Sequence, residues 1–591
     1  TPMVGRLDIE LVSRSRTRPQ LIAVWFLLGV LSCSKSQEAV TAAVPVLLEE
    51  RATAVGLSFT HENGAKGAFR FPEITGSGVA VFDADGDGDL DVYAVQSGDL
   101  GASIESVVGG PDQYFENQLV VGQPNTLKFR NRTQDVGTLG TGYGQGVAVG
   151  DVDRDGDLDV FVANVGLDEL LLNDGRGRFN KARDAGVSGP PSWSSCAVFL
   201  DFDRDGWLDL FVCDYVNARD GYEKQCQNPS GGVEYCGPLA AAPTSDRLFR
   251  NLGDGRFEDV SRAAGISLAP SSALGVLARD FNGDGWVDLY VANDQRPNHL
   301  WLNSGKGTFK EEGYLVGVAV NSSGRPEASM GVDSADIDDD GDLDVFLTHL
   351  IGETNTLYVN QGTGVFQDRS TASGLGLPSH WTTGFGAGFV DADMNGTLDL
   401  LVLNGAVQRI EALVRKGDPF PYHESNALFL NRGLGRFEPA PSAVAPDLAA
   451  SDVARAAAFG DLDNDGDEDI VTTSIRSPLK VFVNAATSAR WHGVTLSREF
   501  HGEASCARAS FVFADGARKT RSFSRDGSYF ASSDPRAVVA SDSAAVLVEV
   551  LLKRCDSEVL RFRAPPESRY STLRRDEALR SDAPTDPGAT P

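Results

Sequence analysis

The chain has 591 residues, 41% of them apolar, with 64 glycines and a formal net charge of −30. It is too hydrophobic to remain disordered and too long for one small domain. Its acids are not balanced by any cluster of Lys and Arg, which excludes nucleic acid as a partner class.

Taken from the start, Arg14, Arg16 and Arg18 precede the apolar run "LIAVWFLLGVLS", a secretory-signal pattern too short to cross a bilayer. The run closes on Val30-Leu31-Ser32-Cys33, which resembles the bacterial lipobox and makes Cys33 a lipidation candidate. The expectation is an exported protein, either secreted or a cell-surface or outer-membrane lipoprotein, that touches a membrane only through this N-terminal anchor. An oxidising compartment makes the other six cysteines disulfide candidates. Cys226 and Cys236 bracket a polar, Gly-rich loop, and Cys196 and Cys213 flank one acidic loop at similar distances. Cys506 with Cys555 follows by elimination.

From Asp83 onward one acidic register recurs seven times. Loop one is "DADGDGDLD", with Asp83, Asp85, Asp87, Asp89 and Asp91; loop two is "DVDRDGDLD", with Asp151, Asp153, Asp155, Asp157 and Asp159. Loop three carries Asp201, Asp203, Asp205, Trp207 and Asp209, and loop four Asp280, Asn282, Asp284, Trp286 and Asp288. Loop five carries Asp336, Asp338, Asp340, Asp342 and Asp344, and loop six Asp391, Asp393, Asn395, Thr397 and Asp399. Loop seven carries Asp461, Asp463, Asp465, Asp467 and Asp469.

Side-chain oxygens fall at relative positions 1, 3, 5 and 9, with Gly at 6. A solvated acidic face has no reason to hold that register. Calcium does, because about six to eight oxygens at roughly 2.3–2.6 Å must converge from a tightly coiled loop, and position 7 serves through its carbonyl whatever its side chain. An EF-hand needs Glu at position 12, where these loops have Ala94, Val162, Val212, Val291, Leu347, Val402 and Thr472. The flanks, such as "GVAVF" and "DVYAV", are β-like instead. The loops hold 32 of the 83 acidic residues, so up to seven structural Ca2+ ions are expected to relieve their mutual repulsion.

After most loops a second signature follows, as in "LLLNDGRGRF" and "LWLNSGKGTF", read as strand, turn and strand. Four strands per repeat and seven repeats predict an all-β fold: a seven-bladed β-propeller with calcium-binding loops and a small C-terminal β domain. The expected boundaries are a signal at 1–33, a linker at 34–56, the propeller at 57–486, the β domain at 487–570 and a disordered tail at 571–591. Segment 57–76 is expected to complete the last blade and close the ring.

The alternation of these two signatures resembles the FG-GAP/VCBS repeats. The phrases "GSGVAVFDADGDGDLDVY", "THLIGETNTLYVN" and "AAFGDLDNDGDEDIV" are similar to the cartilage acidic protein (ASPIC/UnbV) family. "WHGVTLSREF" and "SRDGSYFASSDPRA" look like an eroded C-terminal domain of that family, whose Gly-Leu-Gly and Trp-Pro-x-Gly run is not recognisable here.

No nucleophile motif, zinc spacing or phosphate loop is present, so no enzyme is expected. His349, next to a calcium-loop strand and near Glu353, is read as fixing a loop rather than as an acid or base. The insertion at 214–246, with Tyr215, Tyr222 and Tyr235, is either a recognition loop or a stapled surface loop. The function expected is binding of an extracellular protein or glycan by a monomer. The competing reading is a calcium-dependent polysaccharide lyase or hydrolase.

Overall fold

The computed structural model describes residues 45–120, 126–228, 231–486, 490–541, 546–556, 558–565 and 569–579. Cys33 and the final residues 580–591 lie outside them.

Seven four-stranded antiparallel units succeed one another along the chain, the second and third joined into one eight-stranded sheet by pairing of Ser192 and Trp193 with Gly166 and Val165. Their first strands are Val79–Phe82, Tyr143–Gly150, Ser192–Leu200, Ala273–Arg279, Val332–Ala335, Gly384–Val390 and Ala454–Gly460. In the second unit this strand pairs with Asp159–Gly166, which pairs with Glu169–Asn173, which pairs with Phe179–Lys181. Second strands such as Asp91–Ala94 and Asp209–Asp214 are buried along their whole length, because each sheet is covered by a neighbour on both faces. That is why they read as continuous apolar runs. Each first strand touches the next unit's first strand, and the seventh touches the first, so the units close a ring around an axis. A Cβ on Gly331 would run into the Phe385 carbonyl, and one on Gly146 into the Ser195 carbonyl. Gly331 just before one inner strand and Gly146 within another permit this approach.

The ring is closed by Leu48–Glu50, which pairs antiparallel with Lys480–Asn484 as the outer strand of the seventh unit. Closure therefore comes from within the expected linker, not from segment 57–76. That segment adds a bridge from Thr60 to Pro478, a hydrogen bond from the Leu479 amide to the Phe59 carbonyl at 2.8 Å, buried Leu57 and Phe59, and a short turn, Phe71–Ile74, that packs at the axis. Gly64, Gly67, Pro72 and Gly76 cannot sustain a ladder, whereas Leu47 and Leu48 are buried in the core between units six and seven.

A second device runs around the ring. The Asn of each "N-x-G-x-G-x-F" signature donates its side-chain amide to a carbonyl in the preceding unit's acidic loop. Asn173 reaches Ala84 at 2.7 Å, Asn251 reaches Val152 at 2.8 Å, Asn303 reaches Phe202 at 2.8 Å and Asn360 reaches Phe281 at 3.0 Å. Asn431 reaches Ile337 at 3.3 Å, and Asn117, at the equivalent place in the first unit but outside the signature, reaches Leu462 at 2.9 Å across the closure; the equivalent Asn484 of the seventh unit leaves its side-chain amide without a partner.

The C-terminal region forms two sheets. One holds Ala537–Ser541, Arg490–Leu496 and Tyr570–Leu573; the other holds Arg518–Ser522, Arg508–Phe513, Leu547–Lys553 and Val559–Arg563. They share a core that includes Phe511, Phe513, Val550 and Phe562. Tyr570–Leu573 pairs parallel to Gly493–Leu496, so ordered chain continues past the expected boundary at 570.

Cys226–Cys236 and Cys506–Cys555 are disulfides. Cys196 and Cys213, expected as a pair, are instead two buried thiols. They sit on adjacent strands where the register shifts between Ser194 and Ala197, so that Cys213 stands opposite the Ser195–Cys196 bulge with the Cys196 thiol against its own.

Candidate metal centres

Each acidic loop joins the first two strands of its unit, so all seven lie on one face of the ring. Position 6 is glycine with positive φ in every loop, from +87° at Gly206 to +99° at Gly466. Position 4 has the same left-handed backbone, at Gly86, Arg154, Arg204, Gly283, Asp339, Met394 and Asn464. The second left-handed residue was legible as the Gly and Asn that occur at position 4, but Arg and Met there obscured it.

This coil turns the amides inward. Position 5 accepts from the amide of position 7 in all seven loops, as in Asp155 from Asp157 at 2.9 Å. Both oxygens of position 9 accept backbone amides. Asp159 takes Val152 at 3.0 Å and Asn173 at 2.9 Å, and Asp91, Asp209, Asp288, Asp344, Asp399 and Asp469 repeat the arrangement. Position 9 thus ties the loop to the third strand of its own blade, a role the ligand pattern alone did not reveal.

Positions 1 and 3 are different. Asp85, Asp151, Asp201, Asp336, Asp338, Asp393 and Asp463 each keep a buried Oδ1 with no hydrogen-bond partner, as does Asp467 at position 7. A buried carboxylate oxygen left unpaired is costly, and a cation is what such an arrangement lacks. In loops one, two, three and six the carboxylates at positions 1, 3 and 9 bring oxygens within 4.8 Å of one another; in loop five positions 1, 3 and 5 do so. Burial pushes Asp159 up to about 8, Asp209 to about 9 and Asp399 to about 8; burial and then the Asp205 charge raise Asp201 to about 7. The donor set is all oxygen, the chemistry of a hard divalent cation.

The loops are also linked to one another. Arg154 donates to the Gly206 carbonyl and lies 4.5 Å from the Trp207 ring centroid, and Arg204 donates to the Gly285 carbonyl and lies 3.9 Å from Trp286. Position 4 of one loop thus clasps positions 6 and 7 of the next, and the Trp side chains serve this clasp while their carbonyls stay with the loop.

The C-terminal region covers this face. Arg498 reaches the Asp155 carbonyl in loop two, and Arg204 in loop three reaches the Cys555 carbonyl at 2.7 Å. Arg508 bridges the carbonyls of Asp280 at 2.7 Å and Gly341 at 3.0 Å, and Lys519 pairs with Asp339 at 2.6 Å. Arg521 reaches the Gly396 carbonyl at 3.1 Å, and Arg536 the Asp461 carbonyl at 2.7 Å. From the same region the motif "SRDGSYFASSD" enters the axis. Asp526 pairs with buried Arg279 at 2.5 Å, Ser528 accepts from the Val332 amide at 2.9 Å, and Ala531–Ser532 runs parallel to Val79–Ala80. Tyr529 is fully buried, and its hydroxyl donates to the Thr75 carbonyl at 3.1 Å.

Trp491 packs directly over Gly466, so that a Cβ there would strike the indole, whereas Gly341 in the same register faces open space. Gly466→Ala is expected to cost about 3 kcal/mol from backbone strain plus overpacking, and Gly341→Ala only about 1–2 kcal/mol from strain. Urea midpoints of the two variants check this.

His349 is buried and stands apart from these loops. Both ring nitrogens lack a hydrogen bond, and its nearest acid is Glu327 at 3.7 Å, not Glu353. The tyrosines of the insertion point inward: Tyr215 donates to Asp294 at 2.6 Å, Tyr235 to Glu73 at 3.2 Å, and Tyr222 to the Leu100 carbonyl. They hold the insertion over the axis rather than offering a recognition surface. Among the described residues no helix is long and apolar enough to cross a membrane.

An FG-GAP-like repeat pattern matches residues 151–212, 239–291, 280–347, 336–402 and 413–472. Cartilage acidic protein 1 of Xenopus tropicalis is 23% identical over 401 residues, 58% of this chain and 59% of that protein. The Homo sapiens protein of that name is 25% identical over 358 residues, 56% of this chain and 47% of its own length. The chain thus spans about half the length of the curated relatives it matches. Among solved structures, YCF48 bound to D1 peptide superposes at a TM-score of 0.39 and 9% identity, over 75% of this chain and 98% of that one. The protein is a propeller that carries FG-GAP-like repeats and resembles the cartilage acidic protein (ASPIC/UnbV) family.

Proposed function

We propose that the protein is an exported, calcium-stabilised recognition propeller that binds a protein ligand through the ring face remote from the acidic loops. Asp, Asn and backbone carbonyls at positions 1, 3, 5, 7 and 9 would hold the ions, which supply charge compensation rather than Lewis-acid chemistry. Two disulfides fit an oxidising compartment.

One observation carries the choice of face: the chain's own C-terminal region occupies the acidic-loop face and the axis beneath it. The opposite face is built from the loops between second and third strands and between successive units. It presents Leu268 at 80% exposure, Leu315 at 78%, Leu377 at 75% and Trp381 at 70%, and Tyr314 and Ile351 are exposed as well. Exposed aliphatic side chains favour a protein ligand, since a sugar is gripped by aromatic platforms and paired polar groups.

Probing arrays of recombinant ectodomains and of glycans with the calcium-loaded protein tests this. Ectodomain binding that weakens at least ten-fold in Leu377→Ser/Trp381→Ala is the expected result. Binding confined to glycans, or product formation from a polysaccharide at catalytic rates, would overturn it.

A further inference from the structure

On the proposed recognition face, beneath the disulfide hairpin of the insertion, a cavity of about 80 Å³ opens at the mouth of the axis. Phe71, Tyr215, Met330, Phe385, Tyr529 and Asp294 line it, and exposed Gly237 and Gln408 form its rim. The tyrosine hydroxyls are already committed: Tyr215 to Asp294 Oδ2 and Tyr529 to the Thr75 carbonyl. Asp294 is only 7% exposed, yet its Oδ1 has no hydrogen-bond partner. Among the described residues no lysine or arginine forms an ion pair with it. Burial pushes this carboxyl up to about 7.

The cavity therefore combines aromatic walls with one buried acceptor that requires a donor. We propose that it receives a primary alkylammonium group, the end of a lysine side chain offered by the protein ligand. Size selects this occupant. At ~15 Å³ per water-sized group the cavity takes roughly five such groups, which matches a butylammonium chain and is too small for a pyranose with about twelve. Chemistry selects it as well, since the ammonium donates to Asp294 Oδ1 and supplies the counter-charge it lacks, while the methylenes replace water against Met330 and the aromatic walls. A net charge of −30 draws cations towards the protein from a distance. The inference rests on the recognition face proposed above.

Calorimetric titration of the full calcium-loaded chain with n-butylammonium and with butan-1-ol tests it. The wild type is expected to prefer the ammonium at least ten-fold, Asp294→Asn to lose that preference, and Ala328→Leu, which fills the cavity but leaves the carboxylate, to bind neither. Equal affinity for the two probes, or a preference retained in Asp294→Asn, would overturn the proposal whether or not Ala328→Leu folds. The two readings fail separately. An ectodomain captured equally by wild type and Asp294→Asn, with no butylammonium bound, removes the pocket and keeps the face. Butylammonium binding without any ectodomain capture keeps the pocket and removes the face.

Discussion

Exhaustive dialysis against a chelator is expected to lower the melting temperature by roughly 20 °C or more, and metal analysis before dialysis to find at least five calcium ions per chain. The size follows from linkage. A site held at about a hundred times its Kd contributes about 2.7 kcal/mol, so several sites together exceed the ~5–15 kcal/mol that a folded protein has in hand. The orphaned oxygens of Asp151, Asp201, Asp336, Asp393 and Asp463 locate the effect in the loops, and their crowding makes the metal-free state repulsive. Fewer than five bound ions, or a melting curve unmoved by the chelator, would sink the account.

Asp526→Ala is expected to destabilise the protein by about 3–5 kcal/mol, because it leaves the Arg279 guanidinium buried without its counter-ion. Arg279 is 2% exposed and spends one N–H on the Ala278 carbonyl at 2.8 Å, and its ion pair is the one with Asp526. Replacing both partners, Arg279→Met with Asp526→Leu, should recover most of the loss, since an apolar pair of similar volume carries no uncompensated charge. Urea denaturation of the single and double variants completes the cycle. A cost below about 1 kcal/mol for Asp526→Ala would mean that the axial segment does not hold the ring and its cover together.

The acidic register, its β flanks and the Asn-Gly-Phe signature are local patterns, and each determined a local structure. A loop that must aim oxygens at one point needs them at alternate positions and a left-handed residue between, so nine residues suffice to specify it, and seven copies specify a repeated sheet. Cys226 with Cys236 was legible for a similar reason, whereas Cys506 with Cys555 followed only by elimination. The third candidate pair, Cys196 with Cys213, stays as two buried thiols beside a β-bulge that nothing in the spacing announces.

What the sequence left open depends on contacts between distant segments. Leu48–Glu50 reads as a linker until Lys480–Asn484 offers an unpaired edge some 430 residues later. Arg508, Arg521 and Arg536 read as ordinary strand and turn residues of a small β domain until the ring gathers the carbonyls of Asp280, Gly396 and Asp461 onto one face. "SRDGSYFASSD" resembles a family motif in one dimension, and only the closed ring supplies the axis that buries Tyr529 and pairs Asp526 with Arg279. The sequence by itself determined the acidic loops and the repeated sheet, because both are set within a few residues. Only the tertiary structure decided how the ring closes, which face is covered and where an unpaired carboxylate is left, because these follow from where separate repeats meet.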